Sequence, residues 1–332
     1  MEYRHIGRSG VQVSCLCLGC MNFGWRTPED EAVSIIHEAI EQGINFLDTA
    51  NVYGRGRSEE IVGRALAEDG RREAVFLATK VTSGMGDGPN DRGSARYHLM
   101  QQCESSLRRL RTDHIDLYQL HQMDHATELH ETLRALDDLV RQGKVLYTGT
   151  SKYAPAYLVE ALMISQHQGW VKFLTDQPPY NLLDRSIENE LIWTCMRHGV
   201  GIIPWAPMGT GILSGQYRKG SKPPAKSRGD DGGIPPARLH DSAIERTEQI
   251  ARLAAAKGVT AAEFGLAWVL RRPGITAPII GVRTMEHLHS CISAIAVEFS
   301  EAELAQLDQI APPGTWVSDY WDMNVNSRLR PS

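Results

Sequence analysis

The chain has 332 residues, of which 42% are hydrophobic and 23% charged. These are ordinary globular values, and they exclude disorder, collagen and coiled coil. The formal net charge of −5 argues against a nucleic-acid binder, while leaving room for a local basic pocket that takes a phosphate. The six cysteines, Cys15, Cys17, Cys20, Cys103, Cys195 and Cys291, show no zinc-ribbon spacing. In a chain of this length they read as buried reduced thiols, with Cys15 and Cys17 on the same side of one strand. The opening MEYRHIGRSG lacks the apolar stretch of a secretory signal, and no apolar run reaches the roughly 18 residues of a membrane span. We therefore expect a cytoplasmic protein with no membrane partner.

In chain order, residues 1–12 read as a short hairpin or lid. Strand-like apolar runs then alternate with segments of helical periodicity. The strands are 13–18, 45–49, 75–80, 115–120, 145–149, 173–176, 201–205 and 278–281, each nearly continuous in apolar character, as strands buried on both faces should be. The helices between and after them are 28–41, 58–68, 94–110, 127–141, 156–166, 187–197, 242–257, 261–271 and 285–294. Thr27 precedes Pro28 and two acids, so its hydroxyl is expected to cap the first helix. Gly43, Gly70, Gly143, Gly199 and Gly258 stand where helices should stop. The stretch 208–240, after the seventh strand, is a long loop rich in Gly, Pro and basic residues.

Eight β-then-α units predict a single-domain (β/α)8 TIM barrel over 1–332, or else a large doubly wound sheet. The first βα turn, Gly19 to Gly24, contains no GxGxxG, which removes the dinucleotide loop of a doubly wound fold. Polar residues also fall at the C-terminal ends of several strands, and a barrel gathers those ends into one mouth.

Four of them make a coherent set. Asp48 ends the second strand and Tyr53 follows it; Lys80 ends the third strand and His121 the fourth. Taken singly, such a lysine is a snorkelling surface residue and such a histidine a hydrogen-bonded core residue. Together they are an acid–base set. A buried aspartate keeps the lysine charged, and the ammonium is expected to lower the tyrosine pKa from its reference of about 10. The phenol then protonates a forming alkoxide, with His121 orienting the carbonyl oxygen. No metal is needed, and the missing component is a hydride source.

With those residues in place the sequence resembles the aldo-keto reductases over essentially its whole length. The matching motifs are FLDTANVYG at 46–54, ATKV at 78–81, IDLYQLH at 115–121, GKV at 143–145, GTS at 149–151, QPPYN at 177–181, IPWAPM at 203–208 and IIGVR at 279–283. The resemblance implies a (β/α)8 barrel and NAD(P)H-dependent reduction of an aldehyde or ketone with Tyr53 as general acid. It further implies that Ser151 and Gln177 bind the nicotinamide carboxamide and that Trp205 stacks on its ring. Gly19 and Met21 on the first βα turn, and Pro207, Met208, Gly209, Gly211 and Leu213 after the seventh strand, would line the rest of the cofactor. Gly281, Val282 and Arg283 open the last barrel helix, where Arg283 would pair with a 2′-phosphate and favour NADPH over NADH. The substrate would be a small carbonyl compound, walled by Phe23, Trp25, Trp316, Tyr320 and Trp321, and the oligomeric state is left open.

The chain departs from the family at three positions. Lys152 stands where asparagine is usual, His287 where glutamine is expected and Cys291 where asparagine is expected, the last two at the adenosine end. The GPND loop at 88–91 and the helix start SAR at 94–96 resemble a bacterial branch that reduces nucleotide-linked deoxyhexoses, which points to a keto-sugar; a xenobiotic carbonyl is the other substrate reading. Two alternatives are a cofactor-binding regulatory subunit with little turnover, like the potassium-channel β-subunits, and a metal-dependent hydrolase using His121, Asp124 and His125.

Overall fold

The computed structural model describes residues 1–67, 70–225, 227–318 and 320. A two-stranded antiparallel hairpin, β1 (Tyr3–His5) and β2 (Gln12–Ser14), precedes eight parallel strands. These are β3 (Cys17–Gly19), β4 (Phe46–Asp48), β5 (Phe76–Val81), β6 (Ile115–Leu120), β7 (Val145–Thr150), β8 (Phe173–Asp176), β9 (Gly201–Ile202) and β10 (Ile279–Ile280). They pair in the order β10-β3-β4-β5-β6-β7-β8-β9, all parallel. Backbone bonds from Thr276 N to Ile202 O (2.8 Å) and from Ile279 N to Pro204 O (2.8 Å) link the last strand to the seventh and curl the sheet into the expected barrel.

Helices α1 (Glu29–Glu41), α2 (Arg57–Leu66), α3 (Arg96–Leu110), α4 (Leu129–Arg141), α5 (Pro155–Gln168) and α6 (Leu191–His198) follow the first six barrel strands. Then come α7 (Asp241–Ala256), α8 (Ala261–Leu270), α9 (Met285–Ser293) and α10 (Glu301–Ile310). The five stop glycines have φ of 86, 68, 71, 69 and 72°, the left-handed region that ends a helix without a Cβ clash. Helix α10 was not expected from the sequence, although Ser300 and Glu303 form a capping box at its start. No single helix among the described residues is long and apolar enough to cross a membrane.

Four local expectations are corrected. The run 13–18 is broken, because Ser14 bonds its hydroxyl to the Leu16 carbonyl (2.6 Å) and turns the chain from the hairpin into the barrel. Cys15 and Cys17 consequently face different cores: Cys15 packs in the layer between sheet and helices, Cys17 inside the barrel. Both, like the other four cysteines, are buried free thiols. Thr27 does not cap α1; its hydroxyl donates to Arg283 O (3.1 Å), tying the first βα loop to the last. The seventh strand is shortened to two residues, Pro204 having no N–H to give the ladder.

The hairpin is a floor and not a lid. Ile6 and Val13 join Cys17, Phe46, Phe76, Leu117 and Ile203 in the barrel interior at its N-terminal end, opposite the mouth. Arg4 donates to Leu270 O (2.9 Å) and Ile275 O (3.2 Å), and Arg8 N bonds Gly199 O (3.0 Å). Along β4 and β5 the lumen-facing positions alternate, Phe46 then Asp48, and Phe76, Ala78 then Lys80. The apolar layer at the floor thus gives way to a polar layer at the mouth. Replacing Ile6, fully buried, with alanine should cost about 2–5 kcal/mol in urea unfolding while leaving KM unchanged; a raised KM would return the hairpin to the mouth.

Candidate active site

Asp48 and Lys80 point into the lumen from neighbouring strands β4 and β5, with side chains 3% and 0% exposed. The Lys80 ammonium is ion-paired with Asp48 Oδ1, donates to Thr49 O (2.8 Å) and reaches the Tyr53 hydroxyl (3.3 Å). Tyr53 opens a 3₁₀ turn, Tyr53–Gly56, just beyond β4, and the ammonium also lies 4.9 Å from its ring centroid. His121 follows β6; its ring stands edge-on to Tyr53 with centroids 5.6 Å apart, and its Nδ1 is buried with no partner among the described residues. All four expected residues therefore meet at one place.

Their electrostatics follow from burial. Desolvation works to lower the Lys80 pKa, but the Asp48 charge and the Tyr53 hydroxyl outweigh it and raise the amine above its ordinary value. His121 is held well below its usual range by burial and by the charges of Lys80 and Lys152, so the imidazole is neutral. The expected lowering of the Tyr53 pKa is not what results. Burial pushes the phenol up, and the Lys80 charge, itself offset by Asp48, recovers only part of that shift. The site thus presents a neutral phenol beside a charged amine.

Gln119, missed by sequence reading, joins Gln177 to complete the floor of this pocket. Gln119 on β6 donates to Asp48 Oδ2 (2.9 Å), and Gln177 donates to the same oxygen (3.0 Å) and to Gln119 Oε1 (3.1 Å). The period-2 pattern, which puts Leu117 in the lumen, places Gln119 there too and was the available signal. Ser151 Oγ donates to Gln177 O (2.8 Å), so these two residues adjoin.

Around the mouth, Trp205 is half-buried with Tyr320 edge-on to it at 6.0 Å, and Arg238 lies 4.7 Å over the Tyr320 ring. Tyr320 is 4% exposed and packs inward. Phe23 is fully buried in the helix-side core, so its ring has no surface to offer a substrate. Trp25 and Trp316 are 61% and 58% exposed; Trp321 lies outside the described residues. Gly19 ends β3 beside Asp48, and Met21 is half-buried on the loop that follows. Pro207 and Met208 lead into a 3₁₀ segment, Gly209–Ser214, in which Gly209 (φ 60°) and Gly211 (φ 98°) turn the chain; an added Cβ at Gly211 would meet open space. Leu213 in this segment is buried.

Across from it, Gly281 is exposed and Val282 buried, and Thr284 caps α9, accepting from His287 N (3.3 Å). Cys291, expected at the adenosine end, is 4% exposed and belongs to the core. Arg283 instead shares its field with Arg26 and Arg228, whose own pKa is lowered by burial and by those two guanidinium groups. Arg26 Nε and Arg228 Nε are buried without partners among the described residues, and Arg26 Nη2 bonds Asp231 Oδ1 (2.5 Å). The loop 208–240 therefore leans on the first βα loop through the Arg26–Asp231 pair, with Arg228 beside it, whereas the sequence singled out Arg283 alone. Asp124 is fully used in its loop, accepting from Ser94 N, Ala126 N and Thr127 Oγ1, and His125 packs beside Tyr157, a structural use of both.

The family model of the Aldo/keto reductase family matches residues 15–312. The chain belongs to the aldo/keto reductase family. Among similar proteins, an uncharacterized oxidoreductase, YrpG, of Bacillus subtilis is 40% identical, with 95% of this chain and 97% of the relative covered. An L-glyceraldehyde 3-phosphate reductase of Escherichia coli K12 is 32% identical over 93% of this chain and 92% of its own. A probable voltage-gated potassium channel subunit beta of Arabidopsis thaliana is also 32% identical, over 90% and 92%. This aldo/keto reductase is accordingly an NAD(P)H-dependent oxidoreductase of the carbonyl-reducing class.

Between Ser151 and Gln177 of the reductase and the barrel wall lies Asp176, fully buried, with Oδ1 accepting from Thr150 Oγ1 (2.7 Å) and Oδ2 unpartnered among the described residues. Burial pushes this carboxyl up to about 7. A carboxyl whose folded pKa exceeds the unfolded value of about 3.9 stabilises the fold below that value and loses the contribution as pH rises through 7. The urea midpoint of the wild type should therefore fall between about pH 5 and pH 8 by an increment that Asp176→Asn lacks; parallel profiles would contradict an ionising Asp176.

Proposed function

We propose that this reductase uses NADPH to convert a small aldehyde or ketone to the alcohol, with Tyr53 as proton donor. The observation that carries the reading is the Tyr53 hydroxyl within 3.3 Å of a buried, aspartate-paired ammonium. When bound, reduced nicotinamide would be the source of the hydride for the carbonyl carbon. The chain's own residues deal with the oxygen. Tyr53 and the neutral His121 donate hydrogen bonds to it, fixing its lone pairs, and the Tyr53 proton passes to it as negative charge develops. Lys80 stabilises the phenolate left behind, and Asp48, Gln119 and Gln177 hold Lys80 in place. A neutral His121 adds no second positive charge beside Tyr53.

Support for NADPH over NADH comes from the unpartnered, buried Arg26 and Arg228 nitrogens beside Arg283, where a 2′-phosphate would find charge-assisted partners. His287, Gly281 and Val282 would flank the adenosine, Ser151 and Gln177 the carboxamide, Trp205 the nicotinamide ring, and the 207–213 segment the pyrophosphate. The continuous helix-side core from Cys15 to Tyr320 supports action as one barrel domain, and the buried free thiols suit a reducing cytoplasm. Keto-sugars and glyceraldehyde phosphates head the substrate panel. The likeness to channel β-subunits sustains a second reading, a cofactor-binding subunit with little turnover, which the same panel decides.

Tyr53→Phe should lower kcat by about 10²- to 10⁴-fold while the NADPH Kd, read by quenching of tryptophan fluorescence, stays put. Turnover that survives this change removes Tyr53 from its role. Arg228→Ala should weaken NADPH about tenfold and leave NADH unchanged in the same titration; equal losses for both would deny a 2′-phosphate contact.

A further inference from the structure

Behind the quartet lies a second set of buried polar groups that the chemistry above does not use. Residues 49 and 79 each adjoin a lumen-facing member, Asp48 and Lys80, and their side chains face the helix layer instead. Thr49 Oγ1 lies 2.8 Å from Ser58 Oγ, which donates to Cys20 O (2.8 Å). Thr79 Oγ1 donates to Glu59 Oε1 (2.6 Å). Ser58 and Glu59 are consecutive residues in the first turn of α2, the helix that begins directly after the Tyr53 turn. The two strands bearing Asp48 and Lys80 are thus each fastened to the start of the helix that follows Tyr53.

Glu59 is fully buried, and its other oxygen accepts from Arg109 Nε of α3 (2.6 Å), whose side chain is 18% exposed. Arg109 runs against Gly56, the last residue of the Tyr53 turn. A Cβ at Gly56 would sit 2.7 Å from Arg109 Cδ, and φ there is 98°. One carboxylate therefore links the Lys80 strand, the Tyr53 turn and helix α3. A buried carboxylate with one cation and one hydroxyl resists displacement, because leaving any of them unpaired in a low-dielectric interior is costly.

We propose that Glu59, held by Arg109 and tied to Thr79, is a positioning residue that sets the spacing between the Tyr53 hydroxyl and the Lys80 ammonium. This rests on the reading of Tyr53 as proton donor. Glu59 touches neither substrate nor cofactor. It acts by fixing the backbone on both sides of the 3.3 Å contact, where small shifts in a reacting geometry have large effects on rate.

The test pairs Thr79→Val with Thr79→Ser, using Glu59→Gln as a third variant and circular dichroism to confirm folding. Thr79→Val should lower kcat about tenfold with KM and NADPH Kd within about twofold, and Thr79→Ser, which keeps the hydroxyl, should restore it. In the alcohol-oxidising direction the base is the Tyr53 phenolate. Weakening its contact with Lys80 raises the phenol pKa, so the pH of half-maximal oxidation should move upward in Thr79→Val and in folded Glu59→Gln, and not in Thr79→Ser. A Thr79→Val enzyme with wild-type kcat and pH profile, in a protein that Tyr53→Phe inactivates, overturns the strut alone. Equal loss in the valine and serine variants also overturns it, and turnover surviving Tyr53→Phe overturns it together with the reading of Tyr53.

Discussion

The ion pair between Lys80 and Asp48 is the constraint on which the rest of the site depends. An ammonium enclosed in a protein lumen would shed its proton without a counter-charge, and a lone carboxylate in the same place would take one up. Here the Asp48 carboxylate supplies the counter-charge that keeps Lys80 ionised. The ammonium has three donors, directed to Asp48, to the Thr49 carbonyl and to the Tyr53 hydroxyl. The second Asp48 oxygen is taken by the Gln119 and Gln177 amides. Such a closed set has one arrangement in which every polar group is satisfied, and that arrangement fixes where the phenol lies.

The barrel makes this possible by separating tasks along its axis. Apolar lumen residues from the hairpin and the strand starts exclude water at one end. The polar layer at the other end then sits above a dry floor, where each charge counts for more than it would in water. The helices take the remaining polar connections through outward-facing threonines, so the site is held from behind as well as from within. Loops carry Arg26, Arg228 and Arg283, and the contact of Arg26 with Asp231 brings two of those loops together over the mouth.

Much of this was legible in the sequence, for identifiable reasons. Eight buried parallel strands make continuous apolar runs, and Asp48, Lys80 and His121 stand out because each ends such a run. What escaped was whatever depended on a long-range partner. The run 13–18 looks uniform, and only the Ser14 hydroxyl bond to Leu16 shows that it turns. Thr27 has a cap's surroundings but found Arg283. Arg228 and Arg26 sit in segments without periodicity, far apart in sequence, and their convergence is a product of folding. The tyrosine's acidity was misjudged because local sequence reveals the neighbouring amine and hides the depth of burial.

The floor hairpin has a temporal consequence. The carbonyls that Arg4 seeks belong to Leu270 and Ile275, which leave the ribosome 266 and 271 residues after it. Until that distant part of the chain is synthesised, the hairpin has no seat and the N-terminal end of the barrel stays open to water. Loop closure over so many residues is slow, and half-built parallel sheets expose unpaired edges while they wait. Nascent chains of this protein are therefore expected to depend on protection from aggregation until the last quarter emerges, whatever the final stability of the barrel.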